Sequence, residues 1–272
     1  MAYRTFFLWV ALLALPFLVL PRASAQSDPD PNALLRPALA KMAAAAHSKT
    51  RFTYFDLSHT MNFDEKGRTI SDLSKLSEVT YIGDLQYARL VQTDDGPLRG
   101  KELAAEQKRY DDAVRAHTGL NDASQSQILY TQLGSYGINL TASGLASQYH
   151  NAIAGTAALP FCECIMIDST PLPGAPQRKY RMWVDPAKEQ LLRLESTLLA
   201  DDGQDMKGGV LTIIWTYIGD TPLISKSHFD VDVRLSQKKI VHVIADHTYL
   251  RYRKFSVTTT IVSNAPADKN KR

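Results

Sequence analysis

From Phe161 to Val262 the chain reads as one long succession of strands with no helix between them. Phe161 to Asp168, Lys179 to Val184, Gln190 to Leu199, Leu211 to Ile218, His228 to Leu235, Val241 to Tyr249 and Phe255 to Val262 carry strand-like content or alternation. Strands that follow one another through short turns pair antiparallel, because a parallel neighbour needs a crossover of a dozen or more residues. That property sets aside the doubly wound and βα-barrel architectures. It also demands a continuous apolar face. His228 to Leu235 shows one, with Phe229, Val231, Val233 and Leu235 on one side of the strand.

Upstream, the pattern changes twice. Gln26 to Asn32 is a polar leader, and Ala33 to His47 is rich in helix formers, with Pro37 expected to bend the helix or delay its start. Phe52 to Phe63 then alternates with period two, placing Phe55, Leu57, Met61 and Phe63 on one face. After the turn Asp64–Gly67, further strands are expected at Leu73 to Ile82 and Gln86 to Thr93. Lys101 to His117 is the clearest helix, with Leu103, Tyr110 and Val114 on one stripe, and Asn121 to Leu145 is expected to hold another. The sum is an α+β domain: a large curved antiparallel sheet of about ten strands, a half-barrel, with helices packed on its concave face.

Residues 1–25 read as a secretory signal peptide. Arg4 precedes the uncharged apolar run Phe6 to Leu20, and Ala23-Ser24-Ala25 supplies the small-residue cleavage site. The run is shorter than the roughly 20 residues of a spanning helix, and Pro16 interrupts it. Cleavage after Ala25 predicts a periplasmic or secreted protein that is not integral to a membrane. It removes Arg4 and Arg22 from a total of 31 basic and 28 acidic residues, leaving a balance of +1. That near-neutrality offers nothing to nucleic acid. A hydrophobic content of 44% excludes a disordered chain. Residues 26–263 are read as a single domain, and 264–272 as a flexible basic tail.

The hairpin Tyr180-Arg181-Met182-Trp183-Val184-Asp185-Pro186, followed by Leu191-Leu192-Arg193-Leu194-Glu195, resembles the WVDP hairpin of the periplasmic lipoprotein-carrier fold. LolA-like carriers, RseB-like sensor domains and outer-membrane lipoprotein-sorting-like proteins share that fold. Gly96-Pro97-Leu98 before a charged helix, and Tyr249-Leu250-Arg251-Tyr252-Arg253-Lys254-Phe255, resemble a less characterised branch of it. One departure stands out, because Lys188-Glu189-Gln190 lacks the glycine usual in that turn. The resemblance implies an apolar cavity between curved sheet and helices. It implies a lipid or lipidated protein as cargo, or an envelope protein as partner in the sensor-like case.

Candidate cavity residues are Phe55, Leu57, Met61 and Phe63, then Leu192, Leu194 and Leu198, with Trp183 and Trp215 as large apolar side chains. They line either a closed core or a ligand gap under a loose helix, with Lys101 to His117 as the lid. Cys162 and Cys164 face the same way in a strand, with Cα atoms roughly 6.6–6.8 Å apart if extended, at the outer limit for a disulfide. Two buried thiols, a conditional bridge and a redox or metal role all stay open. His228, Asp230, Asp232 and Arg234 share the polar face of their strand, which is the ordinary wet side of a half-buried strand; His242 and His247, five apart, face opposite sides. Asn139-Leu140-Thr141 matches a glycosylation sequon. No Gly-x-Ser-x-Gly, HExxH, P-loop or dinucleotide fingerprint is present. Neither enzymatic activity, cofactor nor metal is expected.

Overall fold

The computed structural model describes residues 29–46, 51–82, 85–117, 140–236 and 239–255. The signal segment, most of the helix expected over Asn121 to Leu145, the strand expected over Phe255 to Val262 and the basic tail lie outside these residues.

Eleven strands form one open antiparallel sheet. In chain order they are β1 (Arg51–Phe63), β2 (Thr69–Ile82), β3 (Leu85–Thr93), β4 (Gly96–Pro97), β5 (Tyr149–Leu159), β6 (Cys162–Pro171), β7 (Arg178–Asp185), β8 (Gln190–Leu198), β9 (Val210–Ile218), β10 (Thr221–Ser236) and β11 (Lys239–Phe255). Their spatial order is β4-β3-β2-β1-β11-β10-β9-β8-β7-β6-β5. Among the described residues the helices are α1 (Pro31–Ala46), α2 (Gly100–His117) and α3 (Ala142–Gln148). Two sequential meanders are therefore fused where β1 meets β11.

The expected architecture is present, with local differences. Pro37 does not delay α1, because the helix opens on Pro31 with Asp30 as its cap, accepting the Asn32 N–H at 3.0 Å. β5 carries no strand signal in its alanines and glycine, and only its pairing with β6 makes it a strand. β10 starts at Thr221, well before His228. β11 runs unbroken to Phe255, past the break expected after Tyr249. A one-residue bulge absorbs the irregularity there: Thr53 pairs with Arg253 but Phe55 with Leu250, and Arg251 sits at φ 57°.

The β7–β8 hairpin closes as its sequence predicts, with Asp185 opposite Gln190. Asp185 holds the turn by accepting the Ala187 and Lys188 N–H groups at 2.9 and 3.1 Å. The missing glycine leaves Glu189 at φ 53°, a left-handed conformation that costs a side-chain-bearing residue. Lys41 of α1 steadies this turn, donating to the Lys188 carbonyl at 2.6 Å and lying 3.7 Å from the Glu189 carboxylate.

α1 packs on β5, β7, β8 and β10. Leu35, Ala38, Leu39 and Met42 make its buried stripe at the spacing of a helix face. α2 works differently. It contacts β3 and β2, its expected apolar residue Leu103 is exposed, and the residue it buries is Glu106, 6% exposed. Glu106 accepts the Leu90 N–H at 3.2 Å and the Tyr87 hydroxyl at 3.1 Å, while Arg109 donates to the Ala88 carbonyl at 2.7 Å and pairs with Glu106. α2 thus satisfies the backbone of β3 where the two-residue β4 stops covering it, which blunts a sheet edge. A helix tied down in this way is a clamp on that edge, not the expected lid.

Burial alone would raise the Glu106 carboxyl, but Arg109, Tyr87 and the Leu90 N–H outweigh it and hold it below the ordinary glutamate value. The stability this contributes is present above the unfolded value of about 4.3 and is lost as pH falls through the lower folded value. Glu106→Ala should cost about 1–3 kcal/mol. It should also speed exchange of the Leu90 amide, read by hydrogen–deuterium exchange, while amides of β8 and β9 keep their protection.

Candidate functional site: two faces of one sheet

Directly paired residues project to the same side of a sheet, so the register carries each face from strand to strand. One row runs Met182, Leu194, Ile213, Ser227, His247, Ser58, Lys75 through β7, β8, β9, β10, β11, β1 and β2. This is the inner face, because its first three members belong to the core with Leu35, Leu39 and Met42 of α1. The other row runs Trp183, Arg193, Ile214, Lys226, Thr248, Leu57, Leu76 through the same strands and is the outer face.

These rows divide the nine expected cavity residues. Leu194, Leu198 and Trp215 are buried on the inner side. Leu192 is the extra residue of a bulge between Leu191 and Arg193, and Leu191 takes the fully buried inner position. Trp183 is on the outer side, buried under the Arg193 guanidinium at 4.5 Å from its ring. Phe55, Leu57, Met61 and Phe63 also project outward, and Leu57 is 43% exposed. The inner positions of β1 begin instead with Phe52 and Tyr54, both buried. Alternation told the two faces of β1 apart without telling which one the helices would cover. The missed signal was the cluster Phe52, Tyr54, Tyr249 and Tyr252, whose rings meet across β1 and β11 at 4.9–6.4 Å.

The inner face changes character along its row. Over β7–β9, Met182, Leu194 and Ile213 are fully buried, with Leu191, Leu211 and Trp215 around them beneath α1. Along this row β11 and β1 turn polar: His247 lies 3.0 Å from Asp56, and Ser58, Thr60 and Asn62 follow on β1, while β11 keeps Val243 and Ala245 on the same face. Two buried polar atoms on the inner side have no hydrogen-bond partner, Trp215 Nε1 and Ser196 Oγ. The rim is phenolic. Burial drives the Tyr180, Tyr217 and Tyr252 hydroxyls far above the ordinary tyrosine value, and Tyr217 and Tyr252 donate to the Leu191 and Ile224 carbonyls. They are structural donors, not acid–base groups.

Histidines and aspartates pair across the sheet. His59 with Asp72, His228 with Asp246, and His242 with Asp230 and Asp232 lie on the outer face, so His242 and His247 do face opposite sides. Among the described residues no group of three or more His, Cys, Asp or Glu side chains is arranged to hold a metal ion. Beside these pairs, Phe63, Glu65, Asp232, Ile240, His242 and Ile244 line an open cleft of about 510 Å³. Cys162 and Cys164 form a disulfide, with Cα atoms 5.4 Å apart, closer than a fully extended strand allows. Of the three roles open to them, the bridge is the one present.

These observations define a class: an open antiparallel α+β sheet whose helix-covered face grades from apolar to polar. No family model and no curated protein matches the sequence. Solved structures do. A LolA superfamily protein from Nitrosomonas europaea is similar over 82% of this chain and 94% of its own, at 10% identity and a TM-score of 0.35. A domain named for outer membrane lipoprotein sorting from Vibrio parahaemolyticus covers 83% and 93%, at 11% and 0.38. A chain of the MucA/MucB complex of Pseudomonas aeruginosa covers 84% and 100%, at 10% and 0.26. Each of these is a similarity to a solved structure, and no activity is taken over with it.

The disulfide joins residues only two apart in sequence, which β5 already holds in register, Leu159 opposite Cys162 and Ala157 opposite Cys164. So short a loop removes little entropy from the unfolded chain, about 1–2 kcal/mol in the chain-entropy model. The Cys162→Ser, Cys164→Ser double variant should therefore stay folded with a modestly lower Tm, and thermal melts with and without reductant check it.

Proposed function

We propose that this chain is an exported, non-enzymatic binding protein that holds a lipid or lipoprotein acyl moiety on the inner face of its sheet, beneath α1. The observation that carries this reading is the inner-face row itself, apolar from Met182 to Ile213 and polar from Ser227 to Lys75. An amphiphile has the same gradient. Its acyl chain would displace the stripe of α1 and gain about 0.8 kcal/mol for each methylene taken from water. Its headgroup would lie toward Ser227, His247 and Ser58. Trp215 fits the junction, being 4% exposed with an unpartnered indole N–H that an ester or amide carbonyl of the ligand could accept from. The apolar leader Phe6 to Leu20 supports export, and among the described residues no helix is long and apolar enough to cross a membrane. Among the described residues the His–Asp pairs stand on the outer and inner sheet faces without a serine or cysteine nucleophile assigned beside them.

Trp215 also supplies the test. In a Trp183→Phe background, a fatty acid brominated along its chain should quench Trp215 emission saturably, and organic extraction of the purified protein should release lipid. Absence of both quenching and extracted lipid would sink the reading. Trp215→Phe should weaken binding several-fold without loss of stability, since it removes an unsatisfied donor.

A second reading is supported by β5. The other edge of the sheet is clamped by α2, but among the described residues no strand pairs with the outer edge of β5, and Tyr149 to Leu159 holds no Lys, Arg, Asp, Glu or Pro. An extended segment of an envelope protein could add there by backbone pairing. A photo-crosslinker at Thr156 should then capture a defined protein, and Ala158→Pro should abolish capture. Capture that survives Ala158→Pro, or lipid without any protein partner, rejects this second reading.

A further inference from the structure

The outer face carries a feature that cargo binding does not use. Around the pairing of β1 with β11, Leu57 is 43% and Leu250 40% exposed, with Phe55 half-buried opposite Leu250. Cations border these side chains. Lys226 lies in the row of Leu57 one strand beyond Thr248, Arg251 reaches over the Phe55 ring at 5.9 Å, and Arg253 stands opposite Thr53. All three are exposed. Glu78, across from Phe55 on β2, is the acid at the margin.

Charge on this face separates along the strands. Toward the opposite end stand Asp246, Asp230, Asp232 and Asp72, then Asp64 and Glu65 in the β1–β2 turn; of the cations there, Arg234 is paired with Asp201 and Arg68 with Asp64, and Lys66 and Lys239 are exposed. A sheet face with exposed leucines at a cationic end and more carboxylates than cations at the other end favours one orientation on a negatively charged plane.

The backbone adds an independent observation. Arg251 occupies the bulge of β11 at φ 57°, the left-handed position that such bulges ordinarily give to glycine. Folding would be served better by glycine there. An arginine held in that conformation keeps a guanidinium on the outer face at a cost in backbone energy, and unfavourable backbone of this kind collects at functional positions.

We propose that this patch, Leu57, Leu250, Lys226, Arg251 and Arg253, docks the protein on the surface of an anionic lipid bilayer. The cations meet the headgroup phosphates and the two leucines enter the interface, the combination that holds peripheral proteins on membranes. The docking stands apart from the cargo reading, because it uses the face away from α1 and is read by a separate measurement.

The test is sedimentation with vesicles, using the mature chain. Binding is expected to phosphatidylcholine vesicles containing about a third phosphatidylglycerol at about 0.1 M salt, and its loss at about 1 M, where screening shortens to about 3 Å. Arg253→Ala and Lys226→Ala should each lower the partition coefficient about five-fold. Arg251→Gly should do the same while leaving the Tm unchanged or higher, which separates docking from folding. Lys66→Ala removes the same charge at the other end of β1 and should leave binding as it was. Failure to bind the anionic vesicles, equal binding to pure phosphatidylcholine, wild-type binding by Arg251→Gly, or an equal loss with Lys66→Ala would each overturn the proposal. Acyl-probe quenching of Trp215 is unaffected by any of these outcomes.

Discussion

The pairing of β1 with β11 is the interaction on which the rest of this structure depends. It joins strands nearly 200 residues apart, from Arg51 opposite Phe255 to Phe63 opposite His242. β1 to β4 form one meander and β5 to β11 another, and without this ladder they would be two sheets, each with a long exposed edge. Closing so long a loop costs chain entropy that only a large interface offsets. The seam has one. Phe52, Tyr54, Tyr249 and Tyr252 interlock on the inner side, and Tyr81 packs on Phe255.

Once that seam is made, the two faces of the sheet acquire different fates. The inner face over β7–β10 takes α1 and becomes a closed core, since Leu35, Ala38, Leu39 and Met42 fill the space above Leu191, Leu194 and Ile213. The same face over β11 and β1 is mixed: Phe52, Tyr54, Tyr249 and Tyr252 are aromatic at one end, the His247–Asp56 pair follows, and Ser58, Thr60 and Asn62 then lie opposite His247, Ala245 and Val243. Among the described residues no helix covers the outer face over β1, β10 and β11, and α2 instead secures the β3 edge through Glu106 and Arg109. The proposed amphiphile binding within and the proposed bilayer docking without would be two uses of one alternating pattern, separated by the thickness of a sheet.

Cross-strand chemistry on this sheet is structural in kind. Four histidines each find an aspartate across the ladder, and Asp168 holds Arg181 through two oxygens, which lowers the Asp168 carboxyl through that hydrogen-bonded contact. Such pairs fix register between neighbouring strands. They place no nucleophile beside a base.

Much of the fold was legible in the residues. Period-two runs and short turns dictated consecutive antiparallel strands, and the WVDP hairpin closed where its sequence put it, because turn chemistry is local. β5 was not legible, since alanines and glycine carry no strand preference and only the hydrogen bonds of β6 make them extended. The expected cavity residues are divided between the two faces. Leu194, Leu198 and Trp215 went inward, whereas Phe55, Leu57, Met61, Phe63 and Trp183 went outward. Alternation sorts residues into two faces from sequence alone, because the side-chain period of a strand is two. Which face a helix will cover is a contact between distant segments, and only the tertiary structure could decide it.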